Sequence, residues 1–274
     1  IYKLNDQKIV QCIGCSLVYI DKQRADFEKL YGRSYYFIVG ESAGANYLNY
    51  KNKKKIIKSN FYFAYNYIVK YAKKNRNKLL EIGAGFGYFI NCLPSTIISE
   101  AFEVSKEAKK EIKINTIAKI YEGDFLAVNI KNKYDFIASF DVIEHQTYLK
   151  EYLNKVSSLL KKDGVFLFTT PDFRTLYNRI IGKKAPIIQP YYHNYYLDKT
   201  WIERNITKLG YKVIHIRTTY FTKMDIGYIL IMGSFFLPFI GKLNLLKIVK
   251  KLKLDGIIVP FFRFGGVECI LQRT

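Results

Sequence analysis

The stretch Leu79-Leu80-Glu81-Ile82-Gly83-Ala84-Gly85-Phe86-Gly87-Tyr88-Phe89-Ile90 constrains the chain more than any other. Its apolar start (Leu79, Leu80, Ile82) reads as a buried parallel strand, Lys78–Ile82, broken by glycines at alternate positions. The apolar run from Tyr88 to Leu93 then reads as the start of a helix. Strand, glycine turn and helix together bring backbone N–H groups up to a nucleotide-like ligand. Glycine is required because a Cβ would block either the tight turn or the ligand's approach. Glu103 closes the next apolar segment about 20 residues after the first glycine, where an acidic side chain meets ribose hydroxyls. A plain structural turn is the competing reading. The preceding strand, Glu81 just ahead of the glycines and Glu103 at that distance together favour a ligand.

The glycines fall as G-x-G-x-G behind an acidic residue, not as the G-x-G-x-x-G of dinucleotide folds. A carboxylate beside the turn would repel a pyrophosphate, but it suits a ligand carrying an amino group and a sulfonium, as S-adenosylmethionine does. On these residues the chain resembles the class I S-adenosylmethionine-dependent methyltransferases. The family's later motifs follow in order. Gly123-Asp124-Phe125 comes directly after a short strand near 119–122, where Asp124 could accept from an adenine amino group and Phe125 could wall the ring. Phe140-Asp141-Val142-Ile143-Glu144-His145 ends a buried strand and resembles the string of many small-molecule methyltransferases. The Asn/Asp-Pro-Pro-aromatic string of amide and adenine N-methyltransferases is absent, which argues against those acceptors. The resemblance implies a Rossmann-like fold, S-adenosylmethionine as cofactor, and contacts from Glu81, Gly83, Ala84, Gly85, Gly87, Phe89, Glu103, Val104, Asp124, Phe125, Phe140, Asp141 and Val142.

Strands alternating with helical patterns from Leu79 onward predict an α/β fold, a doubly wound and mostly parallel sheet. Helices are expected over 61–74, 106–114, 150–160 and 199–209, with Gly164 stopping the third. The stretch 172–197, with its Tyr191-Tyr192-His193-Asn194-Tyr195-Tyr196 cluster, is expected as a loop on the ligand face. Strand 211–217 and the final segment 266–272, the latter resembling the family's antiparallel last strand, complete a seven-stranded sheet. The insert between them, 218–264, then begins and ends at the ligand face. Its apolar run 226–240 is too short for a bilayer span. Beyond that run, Leu245, Ile248, Val249 and Leu252 share a helical face opposite Lys247, Lys250 and Lys251. Such a face suits a lid packed on protein or a second subunit, and also a peripheral contact with an anionic membrane.

Residues 1–60 read as a leader ahead of a catalytic domain over 61–274. Cys12 and Cys15 form one C-x-x-C knuckle, half of a four-ligand zinc site. The segment resembles part of a zinc-ribbon-like leader found ahead of some methyltransferases of small molecules and sugars, with the aromatic stretch 30–36 following it. No metal is expected unless cysteines upstream of Ile1 complete the set. Four scattered cysteines give no disulfide framework and favour a reducing cytoplasm. The formal charge of +21 points to an anionic partner or to compositional bias, and is the sole support for RNA as substrate.

Methyl transfer to a hydroxyl or carbon needs a proton removed, and His145 and His193 are the candidate catalytic residues. His215 falls within a strand and reads as structural. The leading expectation is a small-molecule methyltransferase acting on a sugar, sugar nucleotide or lipid-linked acceptor. An RNA methyltransferase and a non-catalytic, cofactor-binding partner subunit are the alternatives.

Overall fold

The computed structural model describes residues 1–4, 6–23, 61–185, 187–227, 229–230 and 245–274. The aromatic stretch 30–36, the basic run 51–58 and most of the apolar run 226–240 lie outside the described residues. The main sheet has seven strands: β4 (Lys78–Ile82), β5 (Ile98–Phe102), β6 (Lys119–Tyr121), β7 (Tyr134–Phe140), β8 (Leu160–Pro171), β10 (Tyr211–Asp225) and β11 (Ile258–Arg273). Their order is β10-β11-β8-β7-β4-β5-β6. All neighbours pair in parallel except β11, which runs antiparallel to both β8 and β10. The chain reverses its direction across the sheet between β4 and β7, which leaves a crevice at the carboxyl ends of those strands.

Alternation along the strands builds two cores. Leu80, Ile82, Ile137, Phe166 and Phe168 face Tyr152, Leu153 and Val156 of α3 (Leu149–Leu159) and Trp201 and Ile202 of α5 (Lys199–Asn205). On the other face, Leu79, Phe136, Ala138, Val165 and Leu167 pack on Ala64 and Ile68 of α1 (Tyr62–Tyr71) and Ile112 of α2 (Lys106–Asn115). Strands buried on both sides explain the near-continuous apolar runs of the sequence. Each large side chain so buried contributes about 1.5–3 kcal/mol.

Several expectations change. The apolar run after the glycines forms one 3-10 turn, Ile90–Cys92, rather than an α-helix. Left-handed Gly87 delays its start, and Leu93 is extended ahead of Pro94, which disfavours helical backbone before it. Gly164 does not stop α3. That helix ends at Leu159, and the left-handed residue is Asp163 at φ 60°. Gly164 is required for space, since a Cβ there would lie 2.9 Å from the Lys161 carbonyl and 3.1 Å from that of Tyr134.

The stretch 172–197 is not a plain loop: it carries α4 (Leu176–Ile181), a 3-10 turn (Gly182–Lys184) and β9 (Tyr195–Tyr196). β9 is the fourth strand of a second sheet, with β1 (Tyr2–Leu4), β2 (Gln7–Gln11) and β3 (Val18–Ile20) in the order β1-β2-β3-β9. Its small core joins Ile9, Val18 and Ile20 to Ala185, Ile187 and Tyr196. The described part of the leader is thus tied to the segment carrying His193. The insert is also shorter than expected, because β10 and β11 stay paired out to Asp225↔Ile258. Past that ribbon lies the short helix α6 (Leu245–Lys251).

Candidate functional site

The turn after β4 is left-handed three times, at Gly83 (φ 71°), Gly85 (φ 55°) and Gly87 (φ 71°). At Gly83 the protein itself needs the missing Cβ, which would stand 2.4 Å from Val142 Cγ2. The amides of Gly83 and Ala84 donate to the Phe102 carbonyl at 2.8 and 3.3 Å, continuing β4 one step along β5. Glu103, the next residue of that chain, turns back onto the glycines. Its Oε2 accepts from the Gly85 amide at 2.7 Å and its Oε1 from the Ser105 amide at 2.8 Å. Burial pushes the Glu103 carboxyl up to about 7, against the downward pull of the Ser105 and Gly85 amides. Ser105 in turn caps α2, its hydroxyl accepting from the Ala108 amide.

Glu81 is buried on the same side, and its carboxyl is raised well above the usual range by burial and then by the Glu103 charge. Its Oε2 has no hydrogen-bond partner among the described residues. A buried carboxylate oxygen without a donor is costly. An ammonium group or a water held in the crevice would supply the missing donor.

The opposite wall is the turn after β7. Asp141 takes a left-handed φ of 52° and is held by Thr169: its amide donates to the Thr169 carbonyl and hydroxyl, each at 3.1 Å. The Thr169 hydroxyl donates to Asp141 Oδ1 at 2.9 Å. A non-glycine residue in that region at a strand's carboxyl end is strain of the kind that gathers at functional sites. Asp141's turn delivers Val142 over Gly83.

Other expected contacts sit differently. Phe89 is buried against Phe61 (centroids 5.3 Å) and Phe140 (4.9 Å). Ala84 belongs to the same core. Phe125 packs on Phe102 (5.2 Å) and Tyr152 (5.4 Å) and is part of the other core, so its ring supports the wall from within. Asp124 is exposed and caps its own turn, accepting from the Leu126 amide at 2.8 Å, with Gly123 left-handed before it. Gly87 lies against Thr116 and Ile112 of the α2 end, beyond the crevice. Val104 is half-buried between Glu103 and Ser105.

The two histidines expected on the ligand face come together. Their ring centroids are 5.0 Å apart and both are buried. His145 Nδ1 meets the Tyr192 carbonyl at 2.7 Å and His193 Nδ1 the Ile187 carbonyl at 2.9 Å. Burial lowers both, His193 to about 3, so both imidazoles are neutral at physiological pH. Glu144, passed over as a candidate in the sequence, joins them: its Oε1 is 3.7 Å from His145 Nε2, and its Oε2 accepts from the Thr170 hydroxyl at 3.1 Å. The segment bearing His193 is stitched to this strand end through Asn194. Its amide donates to the Glu144 carbonyl at 2.8 Å, and its side chain to the carbonyls of His145 and Gln146, each at 3.1 Å. No periodicity in the sequence could pair residues this far apart; the aromatic run around His193 was the only signal.

Cys12 and Cys15 occupy the turn between β2 and β3 as free thiols, with Ser16 left-handed and its amide donating to the Cys12 carbonyl at 2.9 Å. Backbone and side-chain hydrogen bonds from Cys15, with the Gly14 amide, lower the Cys12 thiol.

Comparison with known proteins decides what this crevice belongs to. A family model described as a methyltransferase domain matches residues 57–216, more than half of the chain. The chain belongs to the class I S-adenosylmethionine-dependent methyltransferases. Similar solved structures share this methyltransferase fold. Magnesium protoporphyrin IX methyltransferase from Synechocystis PCC 6803, with bound SAH, has a TM-score of 0.53 at 13% identity, over 88% of this chain and 92% of that one. The complex of the Haloferax volcanii Trm112 activator with a methyltransferase gives 0.53 at 12% identity, over 82% and 95%. The Bacillus subtilis YcgJ protein gives 0.51 at 14%, over 77% and 98%. At these identities the likeness concerns the fold. No curated protein matches the sequence.

Proposed function

We propose that this methyltransferase binds S-adenosylmethionine in the crevice between the glycine turn and the Asp141–Val142 turn. From it, a methyl passes to a small acceptor: a sugar, sugar nucleotide or lipid-linked molecule. The observation that carries the reading is the Glu103 carboxylate turned onto the Gly85 amide, with the unpartnered Glu81 oxygen beside the same turn. Glu103 would accept the ribose hydroxyls with the lone pairs left after its two amide bonds. Glu81 would take the amino group. The bound cofactor supplies a methyl on a sulfonium, a group activated toward in-line displacement. What remains for the chain is to hold acceptor and methyl in line and to keep water out.

Acceptor-side work falls to Glu144, His145 and His193, beginning two residues past Val142. The leader resemblance and the sheet it shares with β9 favour a small-molecule acceptor over RNA. The test is transfer of label from methyl-labelled S-adenosylmethionine into metabolite extracts. Label in small molecules, lost in Gly85→Arg, is expected; label confined to RNA, or none with the cofactor bound, would favour one of the alternatives.

A specific observation supports an additional membrane contact. Around α6, Ile248 is 51% and Leu252 59% exposed, among Lys247, Lys250, Lys251 and Lys253. Apolar side chains standing in water between lysines suit an anionic lipid surface. No helix among the described residues is long and apolar enough to cross a membrane. Flotation with phosphatidylserine-containing vesicles is expected, and indifference to them would remove this part.

A further inference from the structure

We propose that Glu144, His145 and His193 form a binding site for one divalent transition-metal ion, of the zinc or cobalt kind. The three side chains offer one ligand atom each, all within 4.8 Å of one another, and they are the only group of three such residues among the described ones. All three are buried. Each histidine is held by its Nδ1 on a main-chain carbonyl, Tyr192 for His145 and Ile187 for His193. That bond holds each ring in place, the outer-shell arrangement typical of metal-ligating imidazoles; the His145 ring also meets the Asp141 carbonyl, a contact the ion would compete with. Glu144 is oriented in the same manner: the Thr170 hydroxyl occupies Oε2, and Oε1 faces His145 Nε2 at 3.7 Å. Ligands about 2.0–2.2 Å from a tetrahedral ion stand roughly 3.4 Å apart, so closure onto an ion asks for movements of about an ångström or less.

Two imidazoles and a carboxylate select a zinc-like ion over magnesium or calcium, which prefer all-oxygen shells. Three protein ligands leave a position open for an oxygen of a second molecule. On the methyltransferase reading, on which this last step rests, that oxygen belongs to the acceptor. The preferred acceptors then carry a hydroxyl able to approach the ion. A hydroxyl there would release its proton to solvent more readily than in water, with the histidines holding the ion rather than taking the proton themselves.

Cobalt titration of the chelator-stripped chain tests the site directly. Cys12 and Cys15 offer a competing thiolate pair, so the experiment uses Cys12→Ser/Cys15→Ser as its background. The expected result is one equivalent of Co²⁺ with a visible d–d band and no sulfur charge-transfer band, weakened about tenfold or more by His193→Ala and by Glu144→Gln. Glu144→Gln keeps the size and the Thr170 hydrogen bond, and guards against misfolding of the histidine variant. Absence of binding in the cysteine-free background, or binding indifferent to both substitutions, would overturn the site. Calorimetric titration of S-adenosylhomocysteine into the same samples keeps the two readings apart. Cofactor bound without cobalt sinks only the metal site; cobalt bound without cofactor sinks only the methyltransferase placement.

Discussion

Glu103 carries part of the fold and, on the proposed placement, part of the cofactor site. Its carboxylate ties the glycine turn to the start of α2 through the Gly85 and Ser105 amides. Burial raises it from 4.5 to about 7, so the folded chain holds the proton more tightly than the unfolded one. Stability therefore falls as pH rises through that window, a cost accepted for a carboxylate at the site. Cofactor affinity should move the opposite way, because ribose hydroxyls donate best to the ionised form. Calorimetry at about pH 6 and about pH 8 should show tighter S-adenosylmethionine binding at the higher pH, and Glu103→Gln should flatten the difference. A pH-independent affinity in the unsubstituted chain would contradict the assignment. Gly83 makes a purely structural prediction. Gly83→Ala meets Val142 Cγ2 at 2.4 Å in a left-handed backbone, and should cost about 2–4 kcal/mol in urea denaturation. Val142→Ala should recover part of that loss in the double variant, a coupling expected only of residues in contact.

Elements with a strong local pattern were legible in the sequence, and those made by distant pairing were not. β4 falls at Lys78–Ile82 as read, and α2 runs Lys106–Asn115 against an expected 106–114. The 3-10 turn Ile90–Cys92 was misread because an apolar run gives no length signal once a left-handed glycine and a proline bracket it. β9 was invisible, since a two-residue strand has no period and its partner β3 lies far back in the chain. The same cause hid Glu144, whose neighbours arrive with that segment. At this scale the leader is expected to hold the His193 segment in place. Removing residues 1–23 unpairs β9, and hydrogen exchange of the Tyr196 amide, which faces β3 in this register, should then speed by tenfold or more, on the order of 1.4 kcal/mol of lost protection. Unchanged exchange would mean that the segment is fixed by Asn194 alone.

For the whole molecule, the sheet reverses its winding between β4 and β7, and the two turns at that reversal build the crevice. The basic excess of +21 is a property of the whole chain and by itself names no substrate. On the proposed placement, the donor is selected by the pairing of a left-handed glycine turn with two buried carboxyl groups. Titration of S-adenosylmethionine into the purified chain measures that pairing most directly. Saturable uptake of one equivalent, abolished by Gly85→Arg, is the predicted result. A chain that takes up no cofactor, or whose Gly85→Arg form binds as well as the unsubstituted one, would contradict it.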